Sequence, residues 1–235
     1  ICADFQEQLA SVRRIGMKYV CIRSANGKNI AAFTPEEAEK ELLPYLKAAN
    51  VGVSSLGSPI GKIAVDDEPA FEKQLKQLEN LCKICHLLDC RYIRIFSFYM
   101  PEDQDPENYR DVVIEKMKQF AALAEQYDVL LLHENEKGIY GDTGERCLKI
   151  HQAIDSPYLK AAFDFANFVQ CREDTVRCWQ LLGPYVKYIH IKDALYENKE
   201  NVVCGTGDGQ ILPILKDAFE QEGYQGFLTL EPHLV

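Results

Sequence analysis

Short apolar runs rich in β-branched and aromatic residues alternate along the chain with longer segments whose apolar positions recur every three to four residues. The short runs predict strands at 1–4, 17–23 (MKYVCIR), 51–56 (VGVSSL), 91–97 (RYIRIFS), 128–134 (DVLLLHE), 159–164 (LKAAFD), 186–191 (VKYIHI) and 227–231 (FLTLE). Several are apolar almost without interruption, as in VLLL, AAF and YIHI, which is the pattern of strands covered on both faces. The longer segments predict helices at 5–15, 35–49, 68–88, 106–127, 144–154, 172–182 and 210–222. Their starts carry capping chemistry: Thr34-Pro35-Glu36-Glu37 sets a hydroxyl, a first-turn proline and acidic residues in order. Asp105-Pro106-Glu107 and Asp142-Thr143 before Gly144-Glu145 do the same. Eight strands alternating with seven helices predict an α/β fold, a (β/α)8 barrel of parallel strands lacking its eighth helix.

The chain has 235 residues, close to the roughly 250 of one such barrel, and no linker or low-complexity tract divides it, so 1–235 reads as a single domain. It opens on Ile1 and stops four residues after Glu231. Amino-terminal residues and the carboxy-terminal helix are therefore expected to lie outside it. The seam this leaves between the first and last strands is expected to pair two copies as a homodimer.

A formal net charge of −10 argues against nucleic acid and anionic membranes as partners. No apolar run reaches the roughly 18 residues of a membrane span. Nine cysteines, an odd number scattered over the chain, read as reduced thiols of a cytoplasmic protein. Cys82, Cys85, His86 and Cys90 sit at helical spacing and read as a buried helix face rather than a zinc site.

Catalytic groups of a (β/α)8 barrel gather where the strands end, so polar side chains closing apolar runs are the candidates. Four consecutive strands supply them: LLLHE ends on Glu134, AAFD on Asp164, YIHI carries His190 and LTLE ends on Glu231. Neighbouring strands lie about 4.8 Å apart, so four side chains at one level can converge. Two Glu, one Asp and one His form an oxygen-rich set suited to one divalent ion, Mn2+ first, with Mg2+, Co2+ or Zn2+ as substitutes. Glycines 205, 207 and 209 lack the spacing and the lysine of a phosphate loop and read as a plain loop.

HENEKGIYGDT (133–143), FDFAN (163–167), HIKDA (190–194), CGTGDG (204–209) and LEPH (230–233), with SPIGK (58–62), resemble the sugar phosphate isomerase/epimerase family. These are xylose isomerase-like TIM barrels of the AP endonuclease 2 superfamily. The resemblance implies that Glu134, Asp164, His190 and Glu231 hold the metal and that Glu134 and Glu231 act as acid and base. A cation holding a carbonyl and an adjacent hydroxyl acidifies the carbon-bound proton by stabilising the enediolate, so proton return gives epimerisation or isomerisation.

Sugar or polyol hydroxyls are expected to meet Lys192, Asp193, Asn167, Glu136, Arg23 and His233. Ketose 3-epimerases usually carry a His three residues after the metal-binding Asp, where this chain has Asn167. They also carry an Arg soon after the metal-binding His, absent here, and commonly a Glu where this chain has Cys21. The leading expectation is a metal-dependent sugar isomerase or epimerase. The alternative is a lyase or dehydratase acting on a keto-sugar or inosose, including cleavage of 3-oxo-glycosides. An endonuclease IV-like enzyme fits poorly with five histidines and this charge, and a non-catalytic sugar-binding barrel fits poorly with four retained ligands.

Overall fold

Seven of the eight apolar runs form strands, five of them shortened at their ends, in the computed structural model, which describes residues 3–231, 233 and 234. β1 (Tyr19–Ile22), β2 (Gly52–Leu56), β3 (Tyr92–Ile95), β4 (Leu130–Glu134), β5 (Leu159–Asp164), β6 (Val186–Ile191) and β7 (Phe227–Leu230) lie in that order in one sheet. Every neighbouring pair is parallel. The sheet curls until its edges approach: Tyr19 on β1 meets Phe227 on β7 edge to face, ring centroids 5.1 Å apart. Inside, the Tyr188 hydroxyl on β6 hydrogen-bonds Ser54 and Ser55 on β2, each at 2.9 Å, and accepts from Thr229 on β7 at 2.5 Å. One phenol thus ties together three strands of a nearly closed barrel.

The strand expected at 1–4 falls partly on Ile1 and Cys2, outside the described residues; of the rest, Asp4 serves another end. Its carboxylate accepts from the Glu7 backbone N–H at 2.9 Å and caps α1 (Phe5–Arg14). Among the described residues the barrel therefore has seven strands rather than eight.

The helical segment at 35–49 is two helices, α2 (Pro35–Glu41) and α3 (Leu43–Ala49), because Pro44 has no N–H to continue the first. Thr34 and Glu37 form the reciprocal capping box that opens α2. α4 (Glu68–Leu87) follows β2, and α5 (Arg110–Gln126) follows a 3-10 turn at Pro106–Tyr109. α6 (Gly144–Ile154), α8 (Thr175–Leu182) and α9 (Ile211–Glu220) keep close to their expected places. Between β5 and α8 lies the short α7 (Phe165–Gln170), which the pattern did not predict. Two-residue ribbons pair Ser24–Ala25 with Lys28–Asn29 and Asp193–Ala194 with Asn201–Val202.

Outside the barrel, Phe71, Phe98 and Phe120 pack together between α4 and α5. Phe163 anchors a second cluster with Phe168 and Trp179. Cys82, Cys85 and Cys90 are buried in the first layer. No described helix is long and apolar enough to cross a membrane.

Candidate metal centre

Parallel register brings the strand ends level. Asp164 on β5 pairs with His190 on β6, and His190 pairs with Thr229 on β7, two residues before Glu231. Ligand atoms of Glu134, Asp164, His190 and Glu231 all fall within 4.8 Å of one another. His190 Nδ1 points into the carboxylates, 3.1 Å from Glu134 Oε1, 3.2 Å from Glu231 Oε2 and 3.7 Å from Asp164 Oδ2. Glu134, Asp164 and His190 are buried and Glu231 is half-buried.

The donor set fits a divalent cation. Three carboxylates and one imidazole converge where water is excluded, and buried Glu134 Oε2 accepts no well-aligned hydrogen bond among the described residues, facing only the Arg94 guanidinium at 3.1 Å. Three buried negative charges so close are costly unless positive charge meets them. Burial drives His190 toward neutrality, but Glu134, Asp164 and Glu231 outweigh it and raise the imidazole well above its ordinary value. Burial likewise opposes ionisation of Glu134, and His190 and Arg94 reverse it, holding the carboxyl at about 2. Glu231 shifts the same way, below the usual carboxylate range, under His190 and Arg94.

Local structure fixes each ligand. Asp164 divides its oxygens: Oδ1 accepts from the Asn167 backbone N–H at 2.8 Å and caps α7, while Oδ2 faces His190 and Lys192. Asn135 pins β4 to β5, accepting from Asp164 N and donating to Asp164 O, each at 3.0 Å. Asn167 Nδ2 donates to Glu134 Oε1 at 3.3 Å and to the Asn135 carbonyl at 2.9 Å. Lys192 Nζ donates to Asn167 Oδ1 at 2.8 Å and lies 3.5 Å from Asp164 Oδ2. Burial lowers the Lys192 ammonium, and Asp164 and Glu134 more than restore it, so it stays charged.

One cavity opens on the cluster and a second lies beside it, against Asn167 and Lys192. The larger, about 410 Å³, is lined by Cys21, Arg23, Arg94, His190, Glu231 and His233 among others. The second, about 270 Å³, is lined by Lys62, Glu136, Asn167, Lys192 and His233 with their neighbours. Small-molecule sites run from roughly 300 to 1,000 Å³, so the larger cavity suits one ring or a short polyol. Arg23 stands exposed at the mouth of the larger cavity. Glu136 pairs with Lys62 at 3.0 Å, and His233 Nε2 lies 3.0 Å from Glu231 Oε1.

Asp193 departs from its expected place among the substrate-facing residues. Its Oδ2 accepts from Gly205 N and Gly207 N at 2.9 Å each, and its Oδ1 from Gly209 N and Ala194 N at 3.0 Å each. It is the organising acceptor of the glycine loop and has no oxygen left for a substrate. A Cβ at Gly207 would lie 2.5 Å from Asp193 Oδ1, so this loop closes on the carboxylate only with glycine there.

Arg94 was not among the expected site residues. It comes from the middle of β3, and its Nη1 lies 3.1 Å from Glu134 Oε2 and 3.9 Å from Glu231 Oε1. Nη2 donates to the Gly57 carbonyl at 3.3 Å. Its signal in the sequence is a lone arginine within the apolar run RYIRIF, at a position that alternation turns inward.

Fold and site together define a barrel enzyme scaffold with a rim cluster able to hold a metal ion. The chain belongs to the xylose isomerase-like TIM barrel family, whose model matches residues 9–234. The inosose dehydratase of Mesomycoplasma hyopneumoniae (strain J) is 23% identical over 222 residues, covering 82% of this chain and 72% of the relative. The 3-dehydroshikimate dehydratase of Bacillus anthracis is 24% identical over 123 residues, 52% of this chain and 44% of its own. A solved D-tagatose 3-epimerase-like protein superposes with a TM-score of 0.81 at 16% identity, covering 98% of this chain and 88% of that one. A xylose isomerase-like TIM barrel protein from Mycobacterium smegmatis, in complex with magnesium, gives 0.79 at 17% identity, covering 98% and 82%. At such identities the two structures speak for the fold.

Proposed function

We propose that this chain is a divalent-metal-dependent lyase that dehydrates a keto-polyol, of the inosose or keto-sugar class. The observation that carries the reading is the four-residue cluster, one member of which, Glu231, is a half-buried carboxylate, with the buried Lys192 ammonium 3.5 Å from another, Asp164. Elimination needs that combination, a base for the carbon-bound proton and an acid for the departing hydroxyl. The dehydratase names of the two relatives support the same side. An isomerase or epimerase, the leading expectation from the sequence, needs a second carboxylate free to return the proton. Glu134 is instead held by Arg94 at 3.1 Å and Asn167 at 3.3 Å, which suits a ligand better than a proton carrier.

Glu134, Asp164, His190 and Glu231 would hold the ion, with Mn2+ proposed ahead of Mg2+, Co2+ and Zn2+ because the set is rich in hard oxygen donors. When bound, the ion supplies positive charge at the substrate carbonyl and so acidifies the neighbouring C–H. Glu231 takes that proton. The C–O bond at the β-carbon breaks, its electron pair leaves with the hydroxyl, and Lys192 donates the proton that makes it water. The product is the unsaturated ketone, and Lys192 regains its proton from the protonated Glu231 or solvent. Asn167 holds the Lys192 ammonium in place, and Glu136, Arg23 and His233 line the space where the remaining hydroxyls would sit.

Incubation of the Mn2+-loaded protein with a panel of inososes, 3-oxo-glycosides and free ketoses, followed by mass spectrometry, tests this. A product lighter by one water supports the lyase. A rearranged product of unchanged mass would overturn it in favour of an isomerase.

A further inference from the structure

Lys62 and Glu136 come from different loops, the first after β2 and the second after β4, and meet at 3.0 Å on the wall of the cavity of about 270 Å³. A half-buried ion pair of this kind contributes little to stability, yet three loops are laced together to hold it. Phe96 N–H donates to Ile60 O at 2.8 Å, Phe98 N–H to Gly61 O at 2.9 Å and Tyr99 N–H to Ile63 O at 2.8 Å, so the segment carrying Lys62 runs against the one that follows β3. On the other side, Met100 N–H donates to Gly138 O at 3.0 Å and Tyr140 N–H to Phe98 O at 3.1 Å, which fixes the segment carrying Glu136. Gly61 sits at a φ of 87°, and a Cβ there would lie 2.0 Å from Phe96 O, so this close approach requires glycine. The Lys62 ammonium also rests 4.2 Å above the centre of the Phe96 ring.

Hydrogen-bonding capacity is left over on both partners. An ammonium has three N–H donors, and Lys62 gives one to Glu136 and turns one side to Phe96. Glu136 Oε2 accepts from Lys62 and Oε1 from the Lys137 backbone N–H at 3.1 Å, and each oxygen keeps a second lone pair. Glu136 is also the only carboxylate lining this cavity among the described residues, and an ionised acceptor makes the stronger hydrogen bond. A donor and an acceptor 3.0 Å apart match two gauche hydroxyls on adjoining carbons, whose oxygens lie a hydrogen-bond length from each other. One hydroxyl accepts from the ammonium while its neighbour donates to the carboxylate. An anion fits the same place poorly, because Glu136 repels it from beside the ammonium.

We propose that Lys62 and Glu136 are the specificity-determining pair of this centre, and that together they take a vicinal diol of the substrate on carbons remote from the reacting ketone. This rests on the keto-polyol reading above. The same cavity is lined by Asn167 and Lys192, which contact Glu134 and Asp164, so one space joins the pair to the ligand cluster. The pair divides the substrate class: a polyol with adjoining hydroxyls at that position is held, and an analogue lacking either hydroxyl leaves one charged partner unsatisfied and binds more weakly.

The test reads binding and needs no turnover. Mn2+-loaded wild-type protein is compared with Lys62→Met, Lys62→Arg, Glu136→Met and the double variant Lys62→Met/Glu136→Met, which keeps the net charge. Each is titrated by NMR with trans-1,2-cyclohexanediol and trans-1,3-cyclohexanediol, probes that differ only in the spacing of their hydroxyls, and by calorimetry with myo-inositol and with inorganic phosphate. Wild type is expected to bind the 1,2-diol more tightly than the 1,3-diol, and Lys62→Arg to keep that preference. In the three variants with methionine the preference is expected to vanish and myo-inositol to bind about tenfold more weakly, the worth of a charge-assisted hydrogen bond.

Mn2+ affinity in the double variant is expected to equal that of wild type, since neither residue belongs to the four-residue cluster. Equal binding of the two diols by wild type, or a preference that survives in the double variant, would overturn the proposal. So would a loss of Mn2+ affinity in parallel with myo-inositol affinity, which is the mark of a pair that merely braces the loops. Phosphate bound by wild type and lost in Lys62→Met, without any diol preference, would overturn it in favour of an anion subsite. A protein that shows the diol preference yet removes water from no keto-polyol would instead defeat the lyase reading and leave the pair's assignment standing.

Discussion

At the scale of single residues, chemistry is divided between oxygens of the same side chain. Asp164 caps α7 with Oδ1 and faces His190 with Oδ2, so helix geometry and ligand geometry are set by one residue. Glu231 differs from its fellow ligands in being half-buried beside the larger cavity, which is why proton abstraction is assigned to it. Glu231→Gln is expected to lower exchange of the substrate's carbon-bound proton with deuterated water by roughly 10²–10⁴-fold, the usual contribution of a positioned base. Exchange is read by NMR on whichever ketone is turned over, and a wild-type rate in the variant would refute the role.

The convergence of Glu134, Asp164, His190 and Glu231 was legible in the sequence because three of them close an apolar run and His190 stands one residue before the end of another. Arg94 was not, since a charge within RYIRIF reads as noise in a buried strand until its partners are known. The engagement of Asp193 was hidden for a different reason. Its glycine partners lie 12 to 16 residues away, and only the loop geometry joins them.

At the scale of elements, periodicity located most strands and helices but not their interruptions. Pro44 divides the helical segment at 35–49, as an interior proline must. α7 escaped because it is only six residues long, too short for the polar positions Asp164, Asn167 and Gln170 of FDFANFVQ to stand out as a period. On α6, His151 is buried with both ring nitrogens unpartnered among the described residues, stacked 5.0 Å from Tyr185 and edge-on to His133 at 5.8 Å. Burial lowers His151 well below its ordinary value, and burial brings His133 down to about 4.

For a histidine with a depressed folded-state pKa, the unfolded chain binds the extra proton first. Its contribution is therefore fully present above about 6.5 and is lost as pH falls toward the folded value. Urea midpoints are expected to fall between pH 7 and pH 5. His151→Phe, which keeps the stack, is expected to flatten that slope and to raise stability at pH 7 by about 1–3 kcal/mol through removal of unsatisfied nitrogens. An unchanged slope in the variant would contradict this account of the α6 contact.

At the scale of the whole molecule, the barrel is drawn together through its interior as well as through its ladder. The Tyr188 hydroxyl on β6 reaches Ser54, Ser55 and Thr229, spanning the sheet from β2 to β7. Tyr188→Phe leaves these hydroxyls without their shared partner and is expected to cost about 1–3 kcal/mol in urea denaturation, with no change in secondary structure by circular dichroism. A cost near zero would show that barrel closure does not depend on this contact. The alternation of strands and helices made the barrel legible from the pattern alone. The strand expected at 1–4 falls partly outside the described residues, and within them Asp4 has extended backbone yet serves as a helix cap rather than a rung of the sheet.

The proposed chemistry requires that these strand ends form a single divalent-metal centre. Titration of Mn2+ into metal-stripped protein tests it most directly, with Asp164→Asn as the comparison because it keeps an acceptor for the α7 cap while removing a ligand charge. One ion bound per wild-type chain, with affinity lost in Asp164→Asn, is the predicted result. Wild-type protein that binds no ion, or a variant that binds it equally well, would contradict the claim.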